Sequence, residues 1–541
     1  MTSDLNEDRK LVNGRWIRWN AGRAAGAYAG GLWSHETLAG RLQKAAQETP
    51  RRILLIDGDC RLDCDSLYAQ ARTLAQALLE RTPSGSVISF MLPNWYEAAV
   101  IYLAATLAGM VVNPILPSLR DRELLFILKD VQTRVIFVPS ALRQVDYAAM
   151  LGRVVAQMES PPEVVVVRGD AGGHTPYPSL FQCNHGKHDL PVLDPDAVRM
   201  ILYTSGTTGR PKGVLHTHNS IHALICQIRE HWLVERGDKF LVASPIAHIG
   251  GSIYAFECPL LLGATAVLMD RWNADDAVRL LDAEACTHMA GATPFLRQVL
   301  TAARHANTRV PSLKVFVCGG ASVPPSLIRE AAAYFEGAVV TRVYGSTEVP
   351  VTTVGSTDAV HGADTDGRAG VAEIKLVDHN AATAGEGEIL VRGPQMLVGY
   401  LHPEDDAESF DSQGYFRTGD LARWVDDAYL VVTGRAKDII IRNGENISPK
   451  EVEDILMGHP QISEIAIIGL PDPRTGERAC AVIVPKAAPG PDVASLRGYL
   501  DAQGVATFKA PEQVVIWDAL PKNEAGKVLK QQIRAALAQN S

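Results

Sequence analysis

Cysteine is scarce in this chain. Eight are scattered over 541 residues, and only Cys60 and Cys64 lie close together, with no second pair to complete a metal site. A disulfide scaffold and a cysteine-ligated zinc centre are therefore excluded, and buried free thiols are expected. Long apolar runs are missing too. The longest, "AAVIYLAATLAGMVV" at residues 98–112, is fifteen residues long, short of a membrane span and suited to a buried helix running into a strand. The N-terminal "MTSDLNEDRKLVNGRW" has no apolar stretch of signal-peptide length, so a cytoplasmic protein is expected. Positive charge is not in excess. A net charge of −9 argues against a nucleic-acid partner, and any anionic ligand must be held by local cations rather than by the overall field. Internal repeats and low-complexity segments are absent.

What is present is an ordinary globular composition, 47% hydrophobic and 21% charged, in a chain too long for one core. Over roughly the first 430 residues strand-like and helix-like segments alternate. Leu67, Leu74, Ala75, Leu78 and Leu79 recur at helical spacing, followed by "SVISFML", the apolar helix, "MVVNPIL", a charged helix at 120–130 and "RVIFVPS". "VVVVRG", "KFLVASPI", "TAVLMD" and "LKVFVCGG" repeat the theme. Strands alternating with helices predict βαβ units and mainly parallel sheets. From about residue 385 short strands and turns take over ("GEILVRG", "YFRTGDL", "AYLVVTG"). After "GRAKD" at 434–438 the remaining residues read as a compact α+β unit, with helices near 449–457 and 493–503 and strands "EIAIIGL", "ACAVIVP" and "EQVVIW". The expected fold is α/β: a large N-terminal domain (1–433) with parallel sheets flanked by helices and a β-rich subdomain, a hinge (434–437), and a small α+β C-terminal domain (438–541).

One stretch stands out, "YTSGTTGRPKG" at 203–213. Glycines bring bare backbone amides close to a ligand, four hydroxyls donate to oxygens, and Arg210 and Lys212 supply charge, which together suit a polyphosphate. Such clusters are usually plain loops. Here "VRMIL" delivers the chain straight into it, and a strand-to-glycine-loop junction is where nucleotide phosphates sit. The register fits neither G-x-x-x-x-G-K-[ST] nor G-x-G-x-x-G.

Two acids follow glycine turns. Glu348 in "VYGSTE" would be repelled by a nearby phosphate unless a divalent cation lay between them, which makes it a Mg²⁺ candidate. Asp420 in "YFRTGD" could accept both hydroxyls of a ribose. Lys527 follows Gly526 in "LPKNEAGKVLK" near the C-terminus. Taken singly, each is more commonly a solvated surface residue. "GGASV" at 319–323 lacks the Asp expected before a carrier-attachment serine, no G-x-S-x-G elbow occurs, and Cys183, His185 and His188 have too few companions for zinc. His216 and His218 read as structural.

In order, "YTSGTTGRPKG", "PIAHIGG", "YGSTE", "GEILVRGP", "YFRTGD", "GRAKDIIIRNGENISPKEVE" and "LPKNEAGK" resemble the adenylate-forming superfamily: acyl-CoA synthetases, adenylation domains of peptide synthetases, and luciferases. The resemblance spans nearly the whole chain. It implies that Thr204, Ser205, Gly206, Thr207, Thr208 and Lys212 hold the ATP phosphates, and that Thr347 and Glu348 serve the α-phosphate and Mg²⁺, with Thr204 beside the metal. Gly319, Gly320, Ala321 and Tyr344 would frame the adenine and one wall of the acyl pocket, with Gly345 also contacting the nucleotide. Asp420 and Arg435 would take the ribose, and Lys527 would bridge carboxylate and α-phosphate. Lys437 falls at the family's hinge, Gly444 where the pantetheine thiol of coenzyme A arrives, and His248 between acyl pocket and thiol tunnel. Two departures are structural: Ala428 replaces a usual Gly, and "GRAGVAEIKLVD" is a shortened segment.

The resemblance implies a two-step acid–thiol ligase: ATP and a carboxylic acid give an acyl-adenylate and pyrophosphate, then a thiol releases AMP. Coenzyme A is the expected acceptor, because "PIAHIGG" looks like the acyl-CoA synthetases; a carrier protein is the alternative, and a binding protein with a dead site a third reading. The region 246–252, 319–321 and 343–350 reads as narrow and mostly apolar, suiting a medium-chain, alicyclic or aromatic acid. Oligomeric state is left open by the sequence.

Overall fold

The computed structural model describes residues 9–182, 188–204, 210–320, 323–377, 385–442, 445–523 and 526–538. Two seven-stranded sheets dominate. The first runs Thr175–Pro176, Glu163–Val166, Thr133–Val138, Val87–Phe90, Val111–Pro114, Val198–Thr204, Lys212–Thr217, and the second Val339–Arg342, Val315–Cys318, His288–Gly291, Lys239–Val242, Thr265–Leu268, Ile53–Asp57, Cys60–Asp63. Each is parallel except for one edge pair: Lys212–Thr217 returns antiparallel along Val198–Thr204, and Cys60–Asp63 along Ile53–Asp57. The return strand was not anticipated from sequence, because its short apolar run gives little strand signal.

The apolar run at 98–112 splits as expected into helix Tyr96–Leu107 and strand Val111–Pro114. Every residue from Glu97 to Leu107 is buried. A helix apolar on all sides needs partners all round, and this one shares a single core with Cys64–Arg81 and with residues of both sheets, among them Phe90, Met200, Phe240 and Val242. The described cysteines are free, and all but the half-buried Cys60 are buried. Among the described residues no helix is long and apolar enough to cross a membrane.

Beyond these lies an antiparallel sheet, Glu373–Val377, Glu386–Arg392, Phe416–Val425, Tyr429–Arg435. The small C-terminal domain follows, with a five-stranded sheet in which Gly476–Pro485 lies between Ile462–Asp472 and Gln513–Ile516. Helices Pro449–Leu456, Val493–Ala502 and Lys530–Ala538 cover it. Parallel strands send their carboxyl ends, and the loops after them, to one edge. Thr204, Gly319 and the 343–348 turn all lie at such ends.

Candidate active site

Glu348 is set by its backbone before its side chain does anything. The turn that carries it needs Gly345, where a Cβ would stand 2.6 Å from the Val351 amide. Tyr344 N donates to Thr353 Oγ1 at 2.8 Å, and Leu397 N to the Glu348 carbonyl at 2.7 Å. His216, fully buried, reaches the Thr347 carbonyl through Nε2 at 2.8 Å. Burial holds its pKa down at about 4, so the ring is neutral and can donate that bond. Against the carboxylate thus placed stand Thr204 Oγ1 at 3.4 Å and Tyr400 OH at 3.2 Å. Burial, and then Glu348 itself, push the Tyr400 phenol up, so it stays a proton donor. Lys212 Nζ lies 5.0 Å from the centre of the Tyr400 ring and 3.5 Å from Asp405, which Arg210 also meets at 2.8 Å.

A second polar group forms where the antiparallel sheet meets the C-terminal domain. Asp420 is buried, accepts from Tyr344 OH at 2.7 Å and pairs with Arg435 Nε at 2.7 Å across the strand register that joins them. Tyr344 thus ties the Glu348 turn to Asp420. The backbone around Lys527 is closely held: Gly526 has φ +78°, Lys527 N donates to Asn523 Oδ1 at 2.8 Å, and a Cβ on Gly526 would lie 3.1 Å from Pro294 Cγ of the large domain. Part of the Lys527 side chain stays open to water, yet protein crowds its ammonium. Desolvation first, then the charge of Arg435, lower its pKa, and Lys437 adds to the effect while Asp420 and Asp438 oppose it. Lys437 is lowered by the same two leading causes.

The third component is apolar. His248 precedes the helical turn Ile249–Ser252, and its Nε2 is buried with no partner among the described residues; burial lowers its pKa. Gly251 must be glycine, since a Cβ would fall 2.1 Å from Pro245 O, whereas Gly250 faces open space. A π-helical turn, Ile253–Glu257, follows; such insertions recur at functional sites. Ile249, Ala290, Val343 and Val351 are only partly buried and pack on the same core. Gly319 lies against Val343 O, while Gly320 holds φ +81°.

Two cation-bearing polar groups joined by Tyr344, close to the partly buried apolar residue Val343, have the charge to suit a polyanion such as a nucleotide. Comparison with known proteins agrees: residues 42–401 match the AMP-binding enzyme family, and residues 451–527 its AMP-binding enzyme C-terminal domain. The chain belongs to this adenylate-forming family. The medium-chain fatty-acid–CoA ligase of Escherichia coli is 34% identical over 95% of this chain and 93% of its own. A salicyl-AMP ligase/salicyl-S-ArCP synthetase of Mycobacterium tuberculosis is 32% identical over 96% of this chain and 94% of its own. Among solved structures, ATP-bound MatB from Rhodopseudomonas palustris superposes with a TM-score of 0.83 at 25% identity, covering 93% of this chain and 99% of that one.

In this AMP-binding enzyme, Thr204, Lys212, Glu348 and the 344–347 turn come together, as do Asp420, Arg435, Lys437 and Lys527. Ser205, Gly206, Thr207, Thr208, Ala321 and Gly444 lie outside the described residues. Sequence reasoning missed Tyr400 and Asp405, the latter on the short helical turn Glu404–Ala407, a stretch with no phosphate-loop character. The preceding "GEILVRGP" was the only signal near them.

Proposed function

We propose that this AMP-binding enzyme activates a carboxylic acid with ATP as an acyl-adenylate and transfers the acyl group to coenzyme A, releasing AMP and pyrophosphate. The observation that carries the reading is the placement of Lys527 beside Arg435, Lys437 and Asp420, with Glu348 and Thr204 joined to them through the Tyr344 turn. A carboxylate attacking an α-phosphate meets like charge. A preorganised ammonium aimed at the developing charge offsets it, typically the largest catalytic contribution. Arg435 and Asp420 would orient the ribose, and Lys212 with the 204–208 backbone would hold the outer phosphates.

One carboxylate with hydroxyls around it, Glu348 with Thr204 and Tyr400, suits Mg²⁺, which is commonly bound by one or two carboxylates plus substrate phosphates. Glu348 and Thr204 would hold the ion, and its charge would neutralise phosphate oxygens. Glu348→Gln keeps the shape and removes the charge. Mg²⁺ affinity should fall by about 10-fold or more, with rate partly restored at raised Mg²⁺; a Mg²⁺ titration of pyrophosphate exchange that is unchanged would remove Glu348 from this role.

An acyl site beside the partly buried apolar side chains of Ile249, Ala290, Val343 and Val351 would favour a medium-chain, alicyclic or aromatic acid. Its width is testable at Gly250, where added atoms enter open space; Gly320 is unsuited, because its φ of +81° would strain any side chain. Gly250→Leu should exclude the bulkier accepted acids while sparing the smallest. Equal loss for all acids would show that Gly250 does not face the acyl group.

The deciding experiment incubates the enzyme with ATP and octanoate, cyclohexanecarboxylate, benzoate or salicylate, reads pyrophosphate exchange, and then adds coenzyme A. Exchange without thioester would favour transfer to a carrier protein, the reading that the relationship to the salicyl-AMP ligase keeps alive. No exchange with any acid would point to a dead site. The residues 434–437 are proposed as the hinge between domains 1–433 and 438–541.

A further inference from the structure

The family resemblance implies that His248 stands between the acyl group and the approaching thiol, yet its buried Nε2 has no hydrogen-bond partner among the described residues. Its position must come from the backbone that carries it. One remote residue bonds that backbone at three points. Asn94, 4% exposed in the loop after strand Val87–Phe90, donates through Nδ2 to Val242 O at 3.1 Å and Ser244 O at 3.0 Å, and accepts Ile246 N on Oδ1 at 3.1 Å. Both its donors and its carbonyl are thus spent on the five residues that lead from the end of Lys239–Val242 toward His248. Within this segment, Pro245 O accepts His248 N at 3.0 Å and sits against the bare Gly251. Clamping 242–246 therefore fixes the position from which His248 departs.

The other end of this segment is pinned separately. Glu257, which closes the π-helical turn, pairs with Arg199 at 2.8 Å, and both bond Tyr102 in the buried helical layer. Arg199 lies on the strand that ends at Thr204. Between Asn94 and Glu257 the chain carries the whole 248–252 wall with little else to anchor it by side-chain bonds.

We infer that Asn94 is a positioning residue for His248, and that its clamp keeps water from the activated carbonyl until the thiol arrives. The inference rests on the proposed two-step ligation. When the clamp is lost, water can attack the adenylate: its oxygen bonds to the acyl carbon, the acyl–phosphate C–O bond breaks, AMP leaves with the electron pair, and a proton is released. The products are the free acid and AMP, with no thioester.

The readout is the ratio of AMP released to thioester formed, measured with ATP, saturating coenzyme A and the panel acid giving the fastest exchange. A ratio does not depend on how much enzyme is folded, so lost stability alone does not move it. Asn94→Ala removes the clamp. Asn94→Asp keeps its shape but turns a carboxylate oxygen toward the carbonyls of Val242 and Ser244. Ser89→Ala serves as control: this fully buried serine on the strand that precedes Asn94 bonds Asn113 and Thr133, away from the 242–248 segment. Both Asn94 variants should raise the ratio at least about threefold, since small misplacements of a positioned group have large kinetic effects, while Ser89→Ala leaves it at the wild-type value. An unshifted ratio in either folded Asn94 variant, or an equal rise in Ser89→Ala, overturns the inference. A wild-type enzyme that exchanges pyrophosphate but forms no thioester overturns the acceptor reading and this inference together; one that forms both, with unshifted ratios, overturns only this inference.

Discussion

Lys527→Ala should slow acyl-adenylate formation by roughly 10²–10³-fold or more, the usual cost of deleting a preorganised charged donor, yet should still convert supplied acyl-adenylate and coenzyme A to thioester. The asymmetry follows from where the charge is needed. Only in the first step does an anionic carboxylate meet an anionic phosphate. In the second, a thiol attacks a carbonyl already activated. Lys527, whose amide donates to Asn523, stands beside Arg435 with the adjoining Gly526 close to Pro294, an arrangement that suits the proposed first step. Desolvation and the neighbouring Arg435 lower its pKa in the free enzyme. A lowered lysine loses its proton at a lower pH than a free one, so kcat/KM for adenylation should fall at the alkaline side earlier than an ordinary lysine would dictate. Lys527→Ala should abolish that limb. Measuring both half-reactions separately decides the matter: thioester formation lost as severely as adenylation would sink the two-arrangement mechanism for this enzyme.

Much of this was legible because some signals are local. A stretch whose every residue is apolar must be buried on all sides, and Tyr96–Leu107 is. The apolar run before the glycine-rich stretch is likewise a strand, Val198–Thr204, as its composition predicts. Partners across the fold were not legible. Strand Ile53–Asp57 lies beside Thr265–Leu268, some two hundred residues later, and nothing in either run names the other. Tyr400 and Asn94 escaped notice for the same reason: each acts on backbone or side chains far away in sequence, and a single Tyr or Asn has no period or spacing to betray it. Gly320 is assigned to the pocket by the resemblance alone, and only the backbone shows why it is glycine: its φ is positive, while the space a Cβ would enter is open.

The mirror image of the Lys527 result should come from the proposed hinge. A proline there is informative only if it fits the arrangement already seen, so that it locks rather than distorts. Lys437 fails this condition. It lies inside the 3₁₀ turn Ala436–Asp438, and a proline at 437 would push Ala436 out of its helical conformation. Ala436 meets it. The residue before it, Arg435, is extended at φ −116° and ψ 135°, as a residue preceding proline prefers, and Ala436 opens the turn, where a fixed φ near −65° is tolerated. Ala436→Pro should therefore leave the Asp420–Arg435 pair and the Lys527 loop in place while removing a backbone rotation that domain movement would use. Adenylation should stay within a few-fold of wild type. Thioester formation from supplied acyl-adenylate should fall by roughly 10²-fold, the scale on which a misplaced reacting group slows a step. Set beside Lys527→Ala, the two variants form a crossed pair, each sparing the step the other destroys. A site that served both steps in one fixed arrangement would lose both together in each variant, and Ala436→Pro retaining full thioester formation would move the hinge elsewhere in the chain.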